Sequence, residues 1–453
     1  MKQKELSSAV YYILSQFISA VASFVLLALF SRKLSTENYG DYSLYTAIFT
    51  IVVVFIGWNT HMSIVRRKYE KEENLEQYIN SLVGFQLISI SLMSLISLVL
   101  FKWTIISMSI VTAGLLSLSY IYFEYVRAIG DAKRFFILNL FRQVGVMVIT
   151  IYLLYTDRGY TSGVYSNILV LTLINIYYFI KLRVKIKVNK EDIKYSLMFS
   201  IPLIPFALGN VLLSYVDRFV VYGGLGAEET GKVSFMTNYS NLFILIIQAI
   251  TLGWQPRVFG LIQEDKKIEI ESYAKCIFTF LTFVAMGMIF FSKEFTLIIG
   301  SKSYADTYRY MTPLIVGNLF YFIYIFYTDF TIYYKKNNHL TVYVFLAVIL
   351  KIILSLIIVN TLPFQYITYI TLIIFFVLMW LQYNHAKQSI HLIPNVMIFM
   401  RYFIVFSISL IGYEALQQIT LSTGMQFIAR IIMMLFFTGI LGLVLVLDLK
   451  KNK

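Results

Sequence analysis

The sequence predicts an all-α polytopic membrane protein of about fourteen transmembrane helices: two six-helix lobes related by a parallel pseudo-repeat, plus two C-terminal helices. Three observations carry this prediction. The first is composition: 59% of the 453 residues are apolar and 14% charged, with a mean hydropathy of +0.74, well above the ordinary range for soluble domains. The second is run length. Apolar runs of about 20 residues recur along the chain, enough to cross a hydrocarbon core of ~30 Å. Only helices or closed barrels satisfy every backbone group there, and barrel strands alternate over only about 10 residues. The third is a polar stretch written twice, "LSTENYGDYSLYT" at 34–46 and "LGAEETGKVSFMT" at 225–237.

Taken in order, the first span is 9–30. Lys2 and Lys4 precede it as in a secretory leader, but the run reaches Phe30 without a small-residue cleavage pattern and reads as a retained helix. Spans at 41–60, 79–101, 103–126, 135–156 and 160–180 complete a first lobe over residues 1–184. Only Lys102 divides the third from the fourth. The basic stretch "KLRVKIKVNKEDIK" (181–194) supplies an inter-lobe linker at 185–194, an amphipathic segment drawn to anionic lipid. The second lobe, 195–385, holds spans at 195–221, 233–253, 274–299, 311–332, 340–360 and 363–383. Spans at 397–417 and 425–447 belong to a C-terminal region, 386–453, with no counterpart in the repeat.

The two polar stretches share Leu34/Leu225, Glu37/Glu228, Gly40/Gly231, Ser43/Ser234 and Thr46/Thr237, all 191 positions apart. Each opens the second span of a lobe, and each of those spans ends in Gly-Trp, at Gly57-Trp58 and Gly253-Trp254. A displacement of six spans returns the chain to the same side, so the lobes are related by an axis along the membrane normal. A weaker echo pairs "YFEY" (122–125) with "YTDF" (327–330) in the fourth span of each lobe.

Charge sets the orientation. Of 38 Lys and Arg, 25 fall on the side of the odd-numbered loops, among them the Arg66–Lys71 group and the tail Lys450, Lys451 and Lys453; eight fall on the other side. The positive-inside rule places both termini in the cytoplasm. Topology thus accounts for the net charge of +14, and no nucleic-acid partner is needed to explain it. The single Cys276 excludes an intramolecular disulfide and a cysteine metal site. His61, His339, His385 and His391 lie near span ends without ligand spacing, so no metal is expected. "GAEETGK" (226–232) imitates the front of a phosphate-binding loop. Val233 stands where Ser or Thr would hold Mg²⁺, and no strand precedes it. No catalytic arrangement stands out, so a transporter is expected rather than an enzyme.

Charges within spans cost at least about 2.5 kcal/mol each and mark functional candidates. They are Glu124, Arg142, Asp217, Arg218, Asp329, Lys351, Arg401, Glu414 and Arg430. Arg401 is close enough to a span end to snorkel, and Glu414 and Arg430 lie where they could pair with each other. Glu124 with Arg142, and Asp329 with Lys351, put one acid and one base on corresponding helices of each lobe, as an ion pair or as cavity residues. Lys351 is twelve residues into its span, ~18 Å deep, a poor partner for Asp329 near the surface and the best candidate for a water-filled cavity. Asp217 and Arg218, at the outer end of span 7, could cap that helix or gate an exit. Pro202 and Pro205 break the cytoplasmic half of the same span, as a hinge or a static kink.

Four stretches carry a family likeness: "SRKLSTENYGDYSLYTAI" after span 1, "EYVRAIGDAKRF" leaving span 4, "IPLIPFALGNVLLSYVDRFVVYGGLGAEETGKVSF" through span 7, and "GWQPRVFGLIQED" after span 8. With the two-lobe count, the chain resembles the bacterial Wzx-type polysaccharide (O-antigen) flippases of the multidrug/oligosaccharidyl-lipid/polysaccharide exporter superfamily over most of residues 1–385. The resemblance implies translocation of an oligosaccharide linked to undecaprenyl diphosphate, from the cytoplasmic to the outer leaflet of the bacterial cytoplasmic membrane, by alternating access. It implies no cofactor, and a cycle reset by a proton or sodium gradient or by membrane potential. Expected partners are the glycolipid, membrane lipids and other polysaccharide-assembly membrane proteins. The cations available to the cavity are Lys351, Arg142, Arg218 and Arg32; the acids available for ion coupling are Glu124, Asp217 and Asp329. Two other readings stand beside it. A multidrug exporter of the same superfamily would favour acids in its cavity, and a membrane glycan polymerase or ligase would carry a large outer loop, whereas the loops here are short.

Overall fold

The computed structural model describes residues 2–70, 75–336, 339–390, 392–419 and 422–451, all of whose regular structure is helical. Lys71, His391 and Lys453 lie outside the described residues, as do the side chains of Lys2, Lys4 and Lys451. Among the described residues, fourteen segments are long and apolar enough to cross a membrane, and the chain is a multi-pass α-helical membrane protein.

The chain forms two compact units. One comprises Met1–Ser234 with Lys351–Phe364, the other Phe235–Leu350 with Gln365–Lys453. The first unit holds α1 (Lys2–Lys33), α2 (Thr36–Ile56), the short α3 (Ser63–Glu70), α4 (Leu75–Phe101), α5 (Ile105–Ala128), α6 (Ala132–Leu154), α7 (Thr161–Lys181), α8 (Lys190–Ser200), α9 (Ile204–Leu225) and the start of α10 (Ala227–Gln263). The second holds the rest of α10, then α11 (Lys267–Phe290), the short α12 (Ser292–Ile299), α13 (Thr312–Tyr333), α15 (Ile367–Ser389), α16 (Met400–Gln418) and α17 (Thr423–Lys451). α14 (His339–Thr361) is divided between them at Lys351.

Local chemistry explains the breaks. α4 stops where Lys102 takes a positive φ of 53°, and α5 starts from a capping box in which Thr104 and Ser107 satisfy each other's backbone N–H. Two helices therefore occupy the stretch that Lys102 alone divides in sequence. Gly130, at φ 74°, ends the α5 turn, and Asp131 caps α6 by accepting from the Arg134 N–H at 3.0 Å. Ser35 caps α2 through the Asn38 N–H. The Gly-Trp endings do not behave alike. Gly57 terminates α2, whereas α10 runs on through Gly253 and Trp254, past Pro256, to Gln263. The ninth apolar run is also two helices, because the chain breaks at Phe291 before α12.

In each unit one span is surrounded by the others. α5 has 67% of its apolar window buried and α13 has 78%, whereas α17 has 11%. α5 achieves this with small residues. Ser109, Thr112 and Ser119 return their hydroxyls to carbonyls one turn back, leaving a surface that α2, α4 and α7 can approach closely. Its lower half joins Tyr78, Ile121, Tyr122 and Tyr178 in an aromatic core.

The turn after α2 is held by a polar network. Gln86 of α4 donates to the Thr60 hydroxyl at 2.8 Å and accepts from Ser117 of α5 at 3.1 Å. His61 lies in this turn, outside the spans, with its ring 5.1 Å from Tyr120 and its charge state exposed to Arg127. Burial pushes the imidazole down to about 4, and the Arg127 charge adds to the effect. The native state therefore holds His61 neutral, while the unfolded chain protonates it near pH 6.5. Its contribution to stability is complete above that pH and is lost as pH falls toward 4. The melting temperature of purified protein is expected to drop between pH 7.5 and 5, and His61→Gln to flatten that drop; coincident profiles would show that His61 does not titrate there.

Candidate functional site

The site is built on the break in the seventh span. α8 ends at Ser200, a 3-10 turn covers Ile201–Leu203, and α9 restarts at Ile204. Pro202 and Pro205 are the second residues of the turn and of α9, in the first turn where a missing N–H is tolerated and where the ring disfavours continuing the preceding helix. The bend read from sequence falls where the helix changes type, within one continuous span, Lys190–Leu225. α9 then carries Asp217 and Arg218 into the buried interior of its unit, where they are 5% and 4% exposed.

Asp217 is the centre of the cluster. Its Oδ2 lies 2.6 Å from Lys351 Nζ, and its Oδ1 accepts from Ser355 Oγ at 3.2 Å. Lys351 also donates to the Leu213 carbonyl at 2.8 Å, one turn before Asp217 on α9. α14 is the most apolar of the spans, with a mean hydropathy of 3.0, so its one cation must bring a partner or neutralise. Lys351 and Ser355 stand four residues apart on one face of α14 and together satisfy both oxygens of one carboxylate. Beside this pair, the Arg218 guanidinium lies 4.6 Å from the Tyr215 ring.

The pairings expected from sequence are replaced by others. Lys351 pairs with Asp217 and not with Asp329, and it is buried in that pair (side chain 4% exposed), not facing open volume. Asp329, 2% exposed on α13, accepts from Gln255 at 2.8 Å. Glu124 forms its ion pair with Arg127, one turn along its own helix at 2.8 Å, not with Arg142. Arg430 takes Glu294 at 2.6 Å in place of Glu414, and Arg401 takes Asp448 at 2.6 Å. Asp217 and Arg218 neither cap α9 nor lie at its surface. Arg32 is exposed in the last turn of α1. The run 226–232 is helical after Gly226, and Lys232 pairs with Glu228 at 2.8 Å, so it cannot cradle a phosphate. Among the described residues no group of His, Cys, Asp and Glu could hold a metal.

Arg142 belongs to a polar cluster that a search for charge alone passes over. Asn139 and Gln143 of α6 reach across to α1, Asn139 to the Ser15 carbonyl (3.0 Å) and the Ser19 hydroxyl (3.1 Å), Gln143 to Ser19 (3.0 Å). Arg142 donates to Asn139 at 3.4 Å and lies 5.9 Å from the Phe123 ring. The signal was present in sequence as Ser15/Ser19 and Asn139/Gln143, each pair four residues apart within an apolar span.

Fourteen helical spans, with an ion pair buried on the seventh and eleventh, define a polytopic helical membrane protein. Solved structures have the same fold. The lipid II flippase MurJ, in an inward closed conformation, matches with a TM-score of 0.70 at 17% identity, covering 98% of this chain and 99% of that one. An inward-facing multidrug resistance MATE family transporter of the MOP superfamily matches with a TM-score of 0.62 at 12% identity, covering 84% and 94%. The chain belongs to the polysaccharide biosynthesis protein family, whose model matches residues 29–309. A Lsg locus protein of Haemophilus influenzae is 20% identical over 354 residues, which is 74% of this chain and 86% of that protein.

Proposed function

We propose that the protein is a flippase that carries an undecaprenyl-diphosphate-linked oligosaccharide from the cytoplasmic to the outer leaflet of the bacterial cytoplasmic membrane, with both termini in the cytoplasm. The observation that carries this reading is a polysaccharide-biosynthesis family match on a chain built almost entirely of membrane spans. A diphosphate with sugars cannot cross hydrocarbon unaided, so such a chain serves glycan assembly best by providing a polar, cation-bearing route. Lys351, Arg218 and Arg142 supply buried or half-buried cations along it, and Arg32 an exposed one at the far end of α1. In this conformation Asp217 neutralises Lys351. An arriving diphosphate competes for that ammonium, and protonation or cation binding at Asp217 favours the exchange; Glu124 and Asp329 are the alternative coupling acids. The repeated lobes, 1–184 and 195–385, alternate access, with Pro202 and Pro205 as the place where the seventh span bends.

The test is reconstitution. Proteoliposomes loaded with a fluorescent polyprenyl-diphosphate oligosaccharide are expected to expose the inner-leaflet glycan to an added glycosidase, at a rate set by protein density. Proteoliposomes that leave this glycolipid in place yet expel a cationic dye would overturn the reading in favour of a multidrug exporter.

A further inference from the structure

A cavity of about 490 Å³ opens in the second unit, lined from the α12–α13 region and the facing ends of α16 and α17. These connections follow the ninth and thirteenth spans, so the cavity is on the face opposite the termini. It is separate from the Asp217–Lys351 cluster, which belongs to the first unit. Its volume falls in the range of small-molecule sites, but such sites are mostly apolar. This one is lined by Lys293, Arg309, Glu414, Gln417, Gln426 and Arg430, together with tyrosines.

The base of the cavity is a built feature. Arg430 is 2% exposed and lines the space while its Nη1 is held by Glu294 (2.6 Å) and by the Phe290 carbonyl (3.2 Å). Among the described residues, its Nε is buried without a hydrogen-bond partner, and so is Glu294 Oε2. A buried ion pair left with one idle donor and one idle acceptor is costly unless a third group completes it. Of the two residues only Arg430 borders the cavity, and its donor is of the kind a ligand hydroxyl accepts from. Higher up, Gln417 and Gln426 present amides that both donate and accept. With Arg430 neutralised by Glu294, Lys293 and Arg309 outnumber Glu414, leaving one net positive charge. Hydroxyl-rich and singly anionic is the chemistry that fits: an acidic sugar, or the glycerol phosphate headgroup of an anionic lipid.

We propose that this cavity is a second saccharide site, on the face opposite the termini, for the acidic sugar of a glycan headgroup. It rests on the flippase reading for the source of the sugar, and its position suits a glycan that has already crossed. The amides favour sugar over lipid, because a ring offers hydroxyls on several sides to Gln417 and Gln426 together, while a glycerol headgroup offers a short chain of them.

The experiment uses the full chain in nanodiscs of phosphatidylcholine, titrated with a glucuronic-acid disaccharide and with a neutral glucose disaccharide. The acidic probe is expected to bind about tenfold more tightly, the size of one charge-assisted contact. The double variant Arg309→Gln, Gln426→Leu is expected to lose that advantage at unchanged melting temperature. Equal affinity for both probes, or equal binding by wild type and variant, would overturn the proposal. So would displacement of the disaccharide by phosphatidylglycerol added to the nanodisc, which would make the ligand a lipid. Binding is read here without transport. A protein that binds the acidic probe but flips nothing sinks the flippase reading alone, and one that flips but does not bind sinks only this site.

Discussion

Replacing Gly40 with alanine is expected to force α2 away from α10 and to abolish the conformation seen here. A methyl group on Gly40 would fall on the Ala227 carbonyl oxygen, and one on Gly231 would fall on the Thr36 carbonyl oxygen and come within 3.2 Å of the Gly40 nitrogen. Both obstacles are backbone, so no rotamer change relieves them and whole helices must move. Overpacking of this kind costs about 1–3 kcal/mol, with backbone collisions at the upper end. Around the crossing, Ser43 bonds Ser234 and Tyr222 of α9 bonds Asp41 at 2.8 Å, so separation would also strand polar groups in a buried place. The duplicated stretch thus meets its own copy, residue 40 against 231 and 43 against 234, on the face opposite the termini. The measurement is disulfide trapping in a Cys276→Ser background, between Ser43→Cys and Ser234→Cys. The parent should cross-link readily, and Gly40→Ala should cross-link little and lose export. Gly231→Ala added to Gly40→Ala should cost little more, because the two sites share one gap. Undiminished cross-linking in the alanine variant would show that the crossing tolerates a side chain.

The spans were legible because hydrocarbon thickness and backbone satisfaction leave few solutions, and apolar runs separated even by Lys102 alone fold as separate helices. What hydropathy could not see were events inside apolar sequence. The break at Phe291 lies between two apolar stretches, and the extension of α10 beyond Trp254 continues a helix where the polarity changes but the backbone does not. The charged span residues were legible because charge in a span is rare, but their partners were not. Depth already made Asp329 a poor partner for Lys351, and the same measure, applied to the other spans, points to Asp217. Lys351 stands ten residues before the end of α14 and Asp217 eight before the end of α9, so on spans running in the same direction they lie within ~3 Å of the same level. Gly40 and Gly231 were read as paired markers of a repeat; that they touch is a fact about helix approach, which sequence spacing does not contain.

Lys351→Met is expected to destabilise the protein and to stop export, and the Asp217→Leu second substitution should separate the two effects. Removing the ammonium leaves Asp217 buried at 7% side-chain exposure, with Ser355 its one remaining donor among the described residues. An uncompensated buried charge of this kind costs about 3–5 kcal/mol, whereas replacing both members of such a pair by apolar side chains is often neutral or stabilising. The double variant should therefore recover the melting temperature lost by Lys351→Met. If the pair served only to hold α14 against α9, it would recover export as well. If Lys351 handles an anionic substrate, export stays lost in a protein that is folded and stable. Lys351→Arg is the complementary case, since it keeps the charge and can still reach a carboxylate, though its planar fork suits two acceptors in a plane better than the Asp217 oxygen and the Leu213 carbonyl that Lys351 bridges. It should retain part of the export. Glycan export, thermal stability and membrane abundance measured together on the three variants decide the matter, and full export by the double variant would remove Lys351 from the transport cycle.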